Sequence, residues 1–80
     1  MKNDLNYKVL SLLTPKPTPE EIIKILVGFN FGSISGLSKI TLRSHTSINR
    51  VLAGENFPSV RKEIVQALGL SFNPWEEGKS

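Results

Sequence analysis

Ser33-Ile34-Ser35-Gly36-Leu37-Ser38-Lys39-Ile40-Thr41-Leu42-Arg43-Ser44-His45-Thr46-Ser47-Ile48-Asn49-Arg50-Val51-Leu52-Ala53-Gly54 is the stretch that decides the fold. Ser33 or Ser35 can cap a short helix in which Ile34, Leu37 and Ile40 point three apolar groups toward one side. That helix fades near Thr41. After Leu42 and Arg43, Ser44 caps a second helix over about 45–53, with Ile48, Val51 and Leu52 on its buried face and Gly54 just past its end. Two short helices joined by a tight turn are the arrangement by which a helix-turn-helix sets its second helix in the DNA major groove.

Working outward, Pro58 and Ser59 open a helix with Val60, Ile64, Ala67 and Leu68 inward, and Gly69 closes it. Upstream, Thr18, Pro19 and Glu21 have the spacing of a capping box, so a helix with Ile22, Ile23, Leu26 and Val27 as its stripe runs from about 19 to 28 and loosens at Gly28. Thr14 to Thr18, with Pro15 and Pro17, forms a stiff extended connector. Before it, Leu5, Val9, Leu12 and Leu13 recur at helical spacing behind a possible cap at Asn3, which predicts a first helix over about 4–13. Phe29 and Phe31 read as core plugs beneath a turn rather than a base-stacking platform. Phe72 and Trp75 are expected to fold back onto the helices, with Trp75 at the core or its rim, and residues 76–80 to fray. No strand pair remains, so the expectation is all-α: a compact bundle of about five short helices in one domain over 1–80, with a 19–75 core.

Composition narrows the function. With 80 residues there is room for one core. A 39% apolar and 21% charged chain is too apolar for disorder. No apolar run approaches the roughly 18 residues of a membrane span, and the start lacks a signal peptide's long apolar segment, so a cytoplasmic location is expected. There is no cysteine, one histidine (His45) and one aspartate (Asp4), which leaves no convergent titratable set for catalysis and no ligand cluster for zinc. Gly32-Ser33-Ile34-Ser35-Gly36 has Ile34 where a nucleophile elbow needs its serine. Neither an enzyme, nor a cofactor, nor a small-molecule ligand is expected.

Charge is distributed unevenly. Residues 33–62 carry Lys39, Arg43, Arg50, Arg61 and Lys62 against Glu55 alone, while the whole chain is at +3. Such a segment can attract phosphate, or can be a merely solvated basic face.

The run Leu37 to Gly54 resembles the helix-turn-helix of the lambda-repressor-like superfamily, and Pro58-Ser59 with Ile64-Val65-Gln66-Ala67-Leu68-Gly69-Leu70 is similar to that superfamily's next helix. Ser35-Gly36-Leu37-Ser38-Lys39 and Pro74-Trp75 are similar to the Ner-like phage regulators. The resemblance covers about residues 19–75. It departs at Leu42, where the turn usually has Gly, and at Ser38, where Ala is usual, and both departures bear on where the recognition helix begins.

Burying Ile48, Val51 and Leu52 leaves His45, Thr46, Ser47, Asn49 and Arg50 outward or sideways, and these are the candidate base contacts. Arg50 can pair bidentately with guanine and Asn49 with adenine, while Thr46 or Ser47 can bond a base edge. Ser33, Lys39, Arg43 and Ser44, near helix starts and the turn, are the candidate phosphate contacts. The expected function is sequence-specific binding of double-stranded DNA by a small transcription regulator that represses by occupying its operator. Such proteins act as paired monomers or homodimers on half-sites, and helix 4–13 or the Phe72 and Trp75 tail can supply the contact. The alternative is a helical protein-interaction or phage-assembly adaptor that does not bind DNA.

Overall fold

The computed structural model describes residues 3–76, which form five helices. They are α1 (Asp4–Leu10), α2 (Pro19–Phe31), α3 (Ile34–Thr41), α4 (His45–Leu52) and α5 (Pro58–Leu68). The chain is all-α, a bundle of short helices. Of the tail expected to fray, residues 77–80 lie outside the described residues.

The start of α2 follows its local signals. Thr18 accepts a hydrogen bond from the Glu21 N–H while the Thr18 N–H donates to the Glu21 carboxylate, with Pro19 at the first helical position. The Thr18 N–H, and after it the Thr18 side chain, favour the ionised carboxylate and hold Glu21 below the ordinary glutamate range. The helix then runs past Gly28 instead of loosening there. A side chain at Gly28 would meet open space, and the next turn is held by Asn30, which donates to the Leu26 carbonyl at 2.7 Å. The stop comes at Gly32, left-handed at φ 77°.

α2 supplies Ile22, Ile23, Leu26 and Val27 to the core. Leu37 of α3, Ile48, Val51 and Leu52 of α4, and Val60, Ile64, Val65 and Leu68 of α5 close around them. α3 approaches α2 so closely that a Cβ on Gly36 would lie 2.9 Å from the Phe31 Cβ. Only glycine fits that crossing. Trp75, 8% exposed, returns to the bundle and donates its indole N–H to Glu20 at 2.6 Å, with the Arg61 guanidinium 5.2 Å from its ring centre.

Three expectations for the first helix are overturned. α1 ends at Leu10, after which Leu12 and Leu13 donate to the Val9 and Leu10 carbonyls in a tightened turn. The face α1 packs inward is Asn3, Tyr7 and Leu10; Leu5, Val9, Leu12 and Leu13 are exposed. Asn3 stands at the N-cap without capping, because its amide is buried and donates to the Leu68 carbonyl at 2.6 Å while its oxygen accepts from Asn6 and Asn30. Tyr7 meets Phe72 edge to face at 5.2 Å.

Ile40 is 59% exposed, since six residues at 100° each turn it well away from Ile34. Phe31 packs against the core as expected. Phe29 does not: it is 77% exposed on the outer side of α2.

Candidate nucleic-acid interface

α3 and α4 are packed against each other and joined by Leu42, Arg43 and Ser44. Leu42 takes the left-handed conformation, φ 59° and ψ 30°, with its side chain almost wholly in solvent. A leucine there performs the backbone turn that glycine performs without strain. The next residue is tied from two sides. Ser38 Oγ donates to the Arg43 carbonyl, and the Arg43 Nε donates to the Glu63 carboxylate of α5 at 2.5 and 3.2 Å. Ser38 thus has a structural use in the turn.

α4 begins where the sequence places it. Ser44 Oγ accepts from the Ser47 N–H at 3.1 Å, and the two hydroxyls also meet at 3.1 Å. Ser44 and Ser47 are therefore engaged in capping, and Ser47 is half-buried. With Ile48, Val51 and Leu52 buried, the 100° step puts Thr46 and Arg50 at the centre of the outward face and Asn49 on one flank. His45 is exposed at the first helical position. Of the five candidate base contacts, Thr46, Asn49 and Arg50 share one solvent-facing surface.

Asn49 also borders a small cleft of about 240 Å³ with Lys24, Val27, Ile34, Leu52 and Ala53. Lys24 is a cation that sequence reasoning missed, because α2 reaches this flank only through tertiary packing.

Arg50 is not a free cation. Its Nε and Nη2 donate to the two Glu55 oxygens at 3.0 and 2.9 Å, and its guanidinium lies 5.1 Å from the centre of the Phe57 ring. The carboxylate pushes the Arg50 pKa up, and the arginine in turn holds Glu55 below its usual range. Glu63 raises Arg43 in the same way. The basic segment thus faces two carboxylates, one from outside it. Glu55 at five residues' distance is readable as a partner; Glu63, twenty residues away on α5, is not.

The remaining candidates lie around α3. Lys39 is exposed in its last turn, with no ion pair among the described residues. Ser33 is at the N-cap position but its hydroxyl caps nothing, leaving the first α3 N–H groups open. The two stand about 9 Å apart along the helix. Among the described residues no three His, Asp or Glu side chains gather to hold a metal, and no helix is long and apolar enough to cross a membrane.

Comparison with models of known protein families, with curated proteins and with solved structures gives no match.

Proposed function

We propose that this protein binds double-stranded DNA sequence-specifically, as a lambda-repressor-like regulator that represses by occupying its operator. In this reading α4 enters the major groove and α3 crosses the backbone behind it. The observation that supports it most is the exposed face of α4, where Thr46, Asn49 and Arg50 stand together on a helix whose opposite face is core. Those side-chain types match the donor and acceptor pattern of base edges. Lys39 and the open N–H groups behind Ser33 serve phosphates, and Ser44 serves its own helix first.

Arg50 reaches a guanine only by leaving Glu55. The same two parallel donor groups that hold the carboxylate match the O6 and N7 acceptors of guanine, so the pair is an exchange of one bidentate partner for another. Base readout by this residue therefore competes with an internal ion pair.

The test is a selection of bound sequences from a random duplex pool, followed by affinity of the selected duplex against salt. Recovery of a defined site, with affinity falling by about two to three decades between 50 and 200 mM salt as for roughly five phosphate contacts, supports the proposal. A pool that stays random, or an affinity indifferent to salt, turns the reading to the protein-interaction adaptor, which the exposed apolar side chains of α1 favour.

A further inference from the structure

Arg61 is a cation without a counter-charge. Its Nη1 donates to the Asn56 side-chain oxygen at 3.2 Å, its Nη2 donates to the Glu55 main-chain carbonyl at 3.1 Å, and its guanidinium lies 5.2 Å from the centre of the Trp75 ring. All three partners are neutral. The Nε–H is buried and meets no acceptor among the described residues, and no carboxylate among them forms an ion pair with Arg61. A half-buried guanidinium in that state has lost part of its hydration without gaining an anion, while the ring and the two oxygens hold it in one orientation.

This guanidinium lines an open cleft of about 520 Å³ between α5 and the tail that returns after it. Val65, Leu70, Phe72 and Trp75 supply the apolar part of the wall. Lys62, which also forms no ion pair among the described residues, adds a second cation, and Glu76 is the one acid. From these observations we infer that the cleft binds a small organic monocarboxylate with an apolar body, its carboxylate on Arg61 and its body against the apolar wall.

Three properties select that class. Arg61 and Lys62 against Glu76 leave one positive charge for the occupant, which matches a monoanion, whereas a phosphate dianion would bring a second negative charge toward Glu76. A planar guanidinium held in place also suits a planar carboxylate. The apolar wall calls for a body to cover it, and neither an inorganic anion nor a backbone phosphate has one. The volume falls within the roughly 300–1,000 Å³ of small-ligand clefts. Composition gives no sign of such a site, because Arg61 and Trp75 meet only through the returning tail. The inference goes beyond the DNA-binding reading and stands without it.

Trp75 is the single tryptophan of the chain, so its fluorescence reports this cleft. Titration of the full chain with phenylacetate, with its neutral counterpart phenylacetamide, with acetate and with inorganic phosphate, all without DNA, tests the inference. Phenylacetate should give a saturable change with Kd near ~1 mM, as suits about ten non-hydrogen atoms and one charged contact, and the other three should bind at least ~10-fold more weakly. Arg61→Gln should lose at least ~10-fold, with helical circular dichroism checking its fold. Glu76→Gln, at an exposed position, should tighten phenylacetate by ~2- to 5-fold and decides the matter even if Arg61→Gln fails to fold. A wild type with no saturable change overturns the inference. So does phenylacetamide binding as tightly as phenylacetate, phosphate binding more tightly, or a Glu76→Gln affinity equal to wild type. A short duplex that moves the Trp75 signal where phenylacetate does not also overturns it, and assigns the two cations to the DNA backbone.

Discussion

Replacing Leu42 by glycine should stabilise the protein, and the size of the gain follows from the geometry of the turn. Leu42 is left-handed at φ 59° and 89% exposed, so its side chain strains the backbone without packing against anything. An L-residue in that region costs roughly 1–2 kcal/mol. Glycine removes this cost but adds roughly 0.5–1 kcal/mol through the greater freedom of the unfolded chain. The net gain is about 0.5–1 kcal/mol, which for a domain of this length raises Tm by about 2–8 °C. Leu42→Ala is the control, because it deletes the side chain and keeps the Cβ that causes the strain; it should stay within about 0.5 kcal/mol of wild type. Thermal and urea unfolding of the three proteins make the comparison. A glycine variant no more stable than the alanine variant would refute the left-handed turn between α3 and α4, and with it the relative placement of the two helices.

Further outcomes follow from other contacts. Asn3→Ala leaves the buried Leu68 carbonyl without its donor and should lower stability by about 1–3 kcal/mol, read as an earlier urea midpoint; an unchanged midpoint contradicts the docking of α1 by that bond. Because the folded state holds Glu21 below its ordinary value, its ionised form contributes stability that is fully present above about pH 5 and is lost as the pH falls through the folded value. The stability gap between wild type and Glu21→Gln should therefore be constant near neutrality and close in acid; a gap independent of pH would show that the carboxylate charge has no part in the cap. On the selected duplex, Arg50→Ala and Asn49→Ala should each lose about 5- to 150-fold and blur the base preference, whereas Arg43→Ala should weaken all duplexes alike; uniform losses in all three would mean α4 does not read bases. Glu55→Gln should tighten binding to every duplex several-fold, since it removes a negative charge competing for Arg50, and weaker binding would show that the pair positions Arg50 for DNA instead.

What the sequence made legible was local. The capping box at Thr18 and Glu21, the Ser44 cap and the glycine stop at Gly69 are interactions within one turn of chain, and each appears where its residues predict it. The buried stripes of α2 and α4 were equally readable, α2 because its 13 residues repeat the pattern over several turns and α4 because its other side chains are all polar or charged, which leaves Ile48, Val51 and Leu52 as a single apolar face. α1 was misread for the opposite reason. Seven residues carry two possible stripes, and the buried Asn3 amide with its partner Leu68, sixty-five residues away, selects the one containing Tyr7 and Leu10. No spacing rule contains that bond. At the candidate site, the outward position of Thr46, Asn49 and Arg50 follows from the buried residues of α4, but the engagement of Arg43 by Glu63 and the approach of Lys24 to Asn49 are products of packing between helices. Charge counted along the chain therefore overstates how much of it faces solvent unopposed.

An amide chemical-shift titration of the labelled protein with a short mixed-sequence duplex at low salt asks whether the α3 to α4 surface binds duplex DNA, since non-specific binding needs no operator. If it does, salt-reversible shifts should concentrate in residues 33–50, strongest around Thr46, Asn49 and Arg50, with the α1 face unmoved. Spectra that do not change at millimolar duplex, or shifts confined to α1 and α5, would contradict it.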